Sequence, residues 1–187
     1  MRIAGGHHKG KRLRAPTGSR TRPTSGLARD ALFTMLTHGR LAAEGDPVHG
    51  ARVLDAFAGS GGMGLEALSR GASEAVFLEH GRDALRVLRR NLDELGETGR
   101  AQVVRGDATR PPRARSACQL AVLDPPYGRE LAAAALTALH GAGWFAPGGV
   151  VVLEVGKTES PELPVGIEVV DTRVHGKAKL VLLRISA

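Results

Sequence analysis

The chain has 187 residues, enough for one domain with a substantial core, and its 42% apolar and 24% charged content is that of a globular protein. One cysteine, Cys118, excludes a disulfide framework; the seven histidines show no zinc-binding spacing, and no apolar run is long enough to span a bilayer, so a cytoplasmic protein without a metal is expected. The net charge is +7, and all of the excess sits in residues 1–29, which hold eight Lys/Arg and no acid, leaving 18 basic against 19 acidic residues in the rest.

Residues 1–23 read as a basic hairpin or arm, with extended pieces near 2–4 and 11–14 around a turn rich in glycine and histidine. Lys9, Lys11, Arg12, Arg14, Arg20 and Arg22 are its candidate phosphate contacts, the alternative being a solvated tail. Residues 1–20 precede every element of the sheet, so their deletion is expected to leave the fold and cofactor binding largely intact. The main domain is expected over 24–187.

Thr24 or Ser25 can cap a helix in which Leu27, Ala31, Leu32, Met35 and Leu36 form one stripe. After a loop over 44–50 the elements alternate. Strands are expected at 52–56, 75–79, 101–105, 120–124 and 149–155, with helices at 64–71, 82–96 and 130–141. Gly71 and Gly96 are the stops of the first two helices. Segments 167–174 and 177–185 flank a tight turn at His175–Gly176 and read as an antiparallel pair. This pattern predicts an α/β fold, a seven-stranded, mostly parallel sheet with helices on both faces and a C-terminal antiparallel hairpin. The segment "RPPRARSAC" over 110–118 reads as a basic surface loop.

The candidate site begins with "LDAFAGSGGMGLEA", which follows the first strand. In such sheets ligands bind beyond the carboxyl ends of the strands. Gly59, Gly61, Gly62 and Gly64 allow a tight turn and close backbone approach. Asp55, just before the loop, is unwelcoming to a pyrophosphate and suits a ligand with an ammonium group. Glu79 ends the second strand and can accept both hydroxyls of a ribose. Asp107 follows the third, where its carboxylate can accept from an adenine amino group while the Ala108 N–H donates to the ring. Asp124 ends the fourth. Four acids at successive strand ends suit a ligand with an ammonium, a ribose and an adenine, and S-adenosylmethionine has all three.

"DPPY" over 124–127 supplies the chemistry. The lone pair of an exocyclic amine on a base is delocalised into the ring. A carboxylate, Asp124, and the Pro125 carbonyl, stiffened by Pro125 and Pro126, can accept its two N–H groups and turn that lone pair toward a methyl donor. Tyr127, the one tyrosine of the chain, offers a stacking face for an extruded base.

Together "DPPY", "LDAFAGSGGMGLEALSRGA", "VFLE" and "TRPT…ARDALF" resemble the bacterial RsmD enzymes, which methylate N2 of one guanine in small-subunit ribosomal RNA. The resemblance runs from "MRIAGG" to the last strand. It implies the class I S-adenosylmethionine-dependent methyltransferase fold. It implies cofactor contacts at Asp55, Phe57, Gly59, Ser60, Gly61, Glu79, Asp107 and Ala108, and a target-amine motif at Asp124, Pro125, Pro126 and Tyr127. Small-subunit RNA or an assembling 30S subunit would be the partner of a monomeric enzyme. The chain departs from the family pattern at Asp30, Thr34 and His175. Two alternatives stay open, an adenine-N6 DNA methyltransferase, which shares the Asp-Pro-Pro-Tyr motif, and a non-catalytic RNA-binding assembly factor on the same fold.

Overall fold

A computed structural model describes residues 1–16, 26–38, 45–126 and 131–187. In chain order the elements are α1 (Gly26–His38), β1 (Arg52–Ala56), α2 (Gly62–Ser69), β2 (Glu74–Glu79), α3 (Arg82–Leu95), β3 (Ala101–Arg105), β4 (Cys118–Leu123), α4 (Leu131–Gly141), β5 (Phe145–Gly156), β6 (Ile167–His175) and β7 (Ala178–Ile185). The seven strands form one sheet in the order β3-β2-β1-β4-β5-β7-β6. β1 to β5 are parallel, and β7 runs antiparallel to both β5 and β6. This is the class I methyltransferase architecture expected from the sequence.

Strand periodicity divides the core into two layers. Val53, Phe77, Val122 and Val152 face one way and pack with Phe33, Leu36, Leu65, Leu68 and Leu88. Their neighbours Leu54, Val76, Leu123 and Val151 face the other way and meet Leu136, Leu139 and Trp144. Both sheet faces are therefore apolar, which explains why the strands read as continuous hydrophobic runs. The chain moves outward from β1 to β2 and β3, then returns to place β4 on the opposite side of β1. β1 and β4 are paired neighbours at the point where the strand order reverses, and in such sheets ligands bind beyond the carboxyl ends at this switch point.

The strand and helix ends depart from expectation for local reasons. α2 begins at Gly62, because Gly62–Gly64 already form its first turn behind a left-handed Gly61 with φ 85°. All eight residues of α2 are buried. It ends at Ser69, with Gly71 in the turn beyond it at φ 103°. α3 does stop at Gly96, which is left-handed at φ 71°. β5 starts four residues early, and its pairing with β4 shifts register between Cys118 and Leu120. His175 pairs with Ala178, so Gly176–Lys177 form the final turn rather than His175–Gly176. The proposed caps Thr24 and Ser25 lie outside the described residues.

The N-terminal segment is a hairpin, bridged at Arg2 and Arg12, and it is docked rather than free. Ile3 and Leu13 are 2% and 4% exposed and belong to the core layer of α2 and α3. The Ala4 and Gly5 N–H groups donate to Glu66 of α2 at 2.8 and 2.7 Å. Gly6, at φ 74°, lies so close to the Ser69 carbonyl that a Cβ would sit 1.8 Å from its oxygen. The expectation that this segment could be removed without harm to the fold is therefore corrected: its deletion would uncover Glu66 and part of the core.

Candidate active site

The strand order brings the four strand-end acids into one row: Asp107 after β3, Glu79 on β2, Asp55 on β1 and Asp124 after β4. Asp55 is 3% exposed, and its Oδ2 accepts the Gly64 N–H at 2.8 Å. Burial pushes its carboxyl up to about 8; the Gly64 hydrogen bond opposes this, while the charges of Asp124 and Glu79 add to it. Asp55 thus holds the first turn of α2 against the end of β1. It is also the centre of an acid cluster that favours a cationic ligand.

Glu79 has a comparable double role. Its Oε2 accepts the Gly59 N–H at 2.7 Å, and its Oε1 accepts the N–H groups of His80 and Gly81 at 2.9 and 2.7 Å. A carboxylate has about four lone-pair positions. With three taken, one ribose hydroxyl is the most that Glu79 can hold without rearrangement, not the two expected from the sequence. Asp107 accepts from the N–H and hydroxyl of Thr109 through Oδ1, and these bonds hold its carboxyl below the usual range. Ala108 beside it is 3% exposed and packs into the second core layer.

The loop over 57–61 joins β1 to α2 in an unusual backbone conformation. Phe57 is the one non-glycine residue with positive φ among the described residues, at 64°, and Gly59 and Gly61 follow at 56° and 85°. The two glycines differ in what surrounds them. At Gly61 a Cβ would meet Leu88 at 2.4 Å, and at Gly64 it would meet Phe77 at 2.3 Å, so both serve helix–strand packing. At Gly59 the one atom within 4 Å is the Phe57 carbonyl oxygen at 3.9 Å, so this backbone is open to a ligand. Ser60 is 7% exposed, and its carbonyl accepts from Asn91 at 2.9 Å.

Asp124 and Pro125 leave β4 where Leu123 pairs with Ala56, directly across from the start of this loop. Asp124 is half-buried, Pro125 buried and Pro126 exposed. Tyr127 lies outside the described residues, as do Arg20 and Arg22. Lys9, Lys11 and Arg12 are exposed on the hairpin. Arg14 is exposed and pairs with Glu94 of α3 at 2.6 Å.

Three supporting residues escaped the sequence reading. Glu66 is fully buried and anchors the hairpin and Arg70. Arg29 is 1% exposed and donates to the Arg2 carbonyl. Asn91 donates to the carbonyls of both Ser60 and Arg14 and accepts the Arg14 N–H, tying the glycine loop to the hairpin. Asn91 lies next to Leu88 and Leu92 on the apolar stripe of α3, a polar residue at a core position, and that is the signal the sequence carries. Nothing local marks Glu66 or Arg29 as buried.

Among the described residues no helix is long and apolar enough to cross a membrane. The family model described as Conserved hypothetical protein 95 matches residues 1–184. The chain is 36% identical to YlbH of Bacillus subtilis strain 168 over 167 residues, covering 87% of this chain and 86% of that protein. It is 34% identical to the ribosomal RNA small subunit methyltransferase D of Escherichia coli strain K12, covering 82% of this chain and 74% of that protein. The solved structure of yhhF from Escherichia coli superposes with a TM-score of 0.83 at 31% identity, covering 100% of this chain and 98% of that one.

Proposed function

The chain belongs to the Conserved hypothetical protein 95 family, the RsmD-type methyltransferases, and from that premise we propose that it methylates the exocyclic N2 amine of a guanine in small-subunit ribosomal RNA. The observation that carries this reading is the position of Asp124 and Pro125 at the β1/β4 switch point, across from the glycine loop and beside the acid cluster. The residues present fit S-adenosylmethionine, through the open backbone at Gly59, the remaining acceptor position of Glu79, the second oxygen of Asp107 and the negative field that the Glu79 and Asp124 charges set up around Asp55. When bound, that cofactor supplies an electrophilic methyl group on a cationic sulfur.

The protein's part is placement. Asp124 and the Pro125 carbonyl accept the two N–H groups of the target amine, which directs the nitrogen lone pair away from the ring and toward the donor. As the new C–N bond forms and the C–S bond breaks, the amine nitrogen becomes positive and passes one proton to Asp124 or to solvent. Tyr127 stacks on the base. The exposed cations Lys9, Lys11 and Arg12 meet the RNA backbone, with Arg14, Arg20 and Arg22 as further candidates.

The reading is tested by incubating the protein with S-adenosylmethionine labelled in the methyl group and with either naked small-subunit RNA or assembled 30S particles. Nucleoside digestion and mass spectrometry then identify the product. N2-methylguanosine supports the proposal. Label in N6-methyladenine of duplex DNA offered in parallel would transfer the site to the DNA alternative, and no label in RNA or DNA would leave a binding protein.

A further inference from the structure

Docking of the hairpin gathers three side chains that the sequence keeps far apart. His7 and His8 lie in the hairpin turn, and Glu97 follows the glycine stop of α3. The His7 Nε2 is 3.1 Å and the His8 Nε2 2.7 Å from the same Glu97 Oε1, and the three ligand atoms lie within 4.8 Å of one another. Tetrahedral zinc with bonds of about 2.0–2.1 Å keeps its ligand atoms about 3.3 Å apart, so the His7–Glu97 pair is near that spacing and the His8–Glu97 pair has to open by about 0.6 Å to admit the ion.

The protonation pattern singles out the gap between them. His7 Nδ1 is 2.9 Å from the Ser69 carbonyl oxygen, an acceptor, so Nδ1 carries the proton. In a neutral ring, Nε2 then presents a lone pair, and that lone pair faces the carboxylate oxygen of Glu97. Two acceptors facing each other require a cation between them, either a second proton on the ring or a metal. A carbonyl on the far nitrogen is also the arrangement that orients imidazole ligands in metal sites.

Glu97 is prepared as a ligand. Its side chain is 4% exposed, so its carboxylate is held in one place. Arg100 grips both oxygens, from Nη2 to Oε1 at 2.6 Å and from Nε to Oε2 at 2.9 Å, and donates to the Ala72 carbonyl at 3.0 Å. The side chain of His7 is 51% exposed, which gives an ion an entry path and leaves room for water as a fourth ligand.

We propose that His7, His8 and Glu97 form a binding site for a borderline divalent metal, Zn²⁺ by its two-imidazole, one-carboxylate donor set, and that the ion clamps the N-terminal hairpin to the rest of the domain. The site lies on the hairpin and at the end of α3, outside the residues assigned to methyl transfer, and does not depend on that assignment.

The test uses the full chain without an affinity tag, stripped of metal by a chelator. Co²⁺ is titrated while visible d–d absorption is followed, Zn²⁺ is used in competition, and thermal unfolding is recorded with and without excess Zn²⁺. The expected result is one saturable Co²⁺ site displaced by Zn²⁺ and a higher unfolding midpoint with Zn²⁺. His7→Ala and Glu97→Gln should each weaken binding at least tenfold. His7 is half exposed, so its replacement keeps the fold, which circular dichroism checks. Three results would each overturn the proposal: no Co²⁺ absorption, binding unchanged in His7→Ala, or a midpoint that ignores Zn²⁺ and responds only to pH. The last would assign the gap to a protonated imidazole.

Discussion

The Glu79 carboxylate, at the end of β2, accepts the Gly59 N–H of the loop after β1 at 2.7 Å. One side chain thereby fixes the part of the glycine loop that is open to a ligand. Glu79→Gln keeps the shape but loses the charge and presents an NH₂ group to backbone donors. Its expected effect is weaker S-adenosylmethionine binding by about 1.5–3 kcal/mol, as for hydrogen bonds to a charged group, together with a lower unfolding midpoint. Calorimetric titration and thermal unfolding measure the two. Unchanged affinity in a folded variant would remove Glu79 from the cofactor site.

Asp55 is ionised in the unfolded chain above about pH 4, whereas burial pushes its folded carboxyl up to about 8. Between these values the folded state binds more protons, so its contribution to stability is complete below the lower value and is lost as pH rises toward the upper one. Asp55→Asn keeps an acceptor for the Gly64 N–H and cannot ionise. This variant should show a flatter stability profile across that window and exceed the wild type at its alkaline end. Urea unfolding at several pH values is the measurement, and parallel profiles for the two proteins would contradict the assignment.

Asp124→Asn should reduce methyl transfer on the order of a hundredfold or more while S-adenosylmethionine still binds, since Asp124 is assigned to the amine and not to the donor. Single-turnover transfer and cofactor titration separate the two effects. Joint loss of binding and activity would place Asp124 in the cofactor site instead.

Glu66→Ala should destabilise the fold by about 3–5 kcal/mol, because it leaves Arg29 and Arg70 without their buried carboxylate and strips the Ala4 and Gly5 N–H groups of an acceptor. Chemical denaturation gives the value directly. A loss below about 1 kcal/mol, the scale of an exposed pair, would mean that the hairpin is held by its apolar contacts alone.

Replacing Lys9, Lys11 and Arg12 together by alanine tests the basic surface without removing the docked hairpin. All three are exposed, so the fold should persist. The slope of log affinity for small-subunit RNA against log salt should flatten by about 0.7–0.9 for each phosphate that is no longer neutralised. Filter binding over a salt series reads this. An unchanged slope would transfer the RNA surface to Arg110, Arg113 and Arg115, which are also exposed.

The sequence by itself determined the features that depend on neighbours along the chain. Strand periodicity and the helix stop at Gly96 set the order of elements, and β1 and β3 have the predicted ends. An acid at each of four successive strand ends, a glycine loop after the first and Asp-Pro-Pro after the fourth were legible for the same reason. Once a parallel sheet is inferred, the strand ends must meet. Tertiary structure decided what depends on partners distant in sequence. Glu66 meets Ala4 across 62 positions and His8 meets Glu97 across 89. Neither pairing has a local signature, because a buried carboxylate looks like any other until the surface that covers it is in place. The hairpin read as a basic arm because composition records the exposed Lys9, Lys11 and Arg12. Only the packing of Ile3 and Leu13 under that charge makes it part of the core.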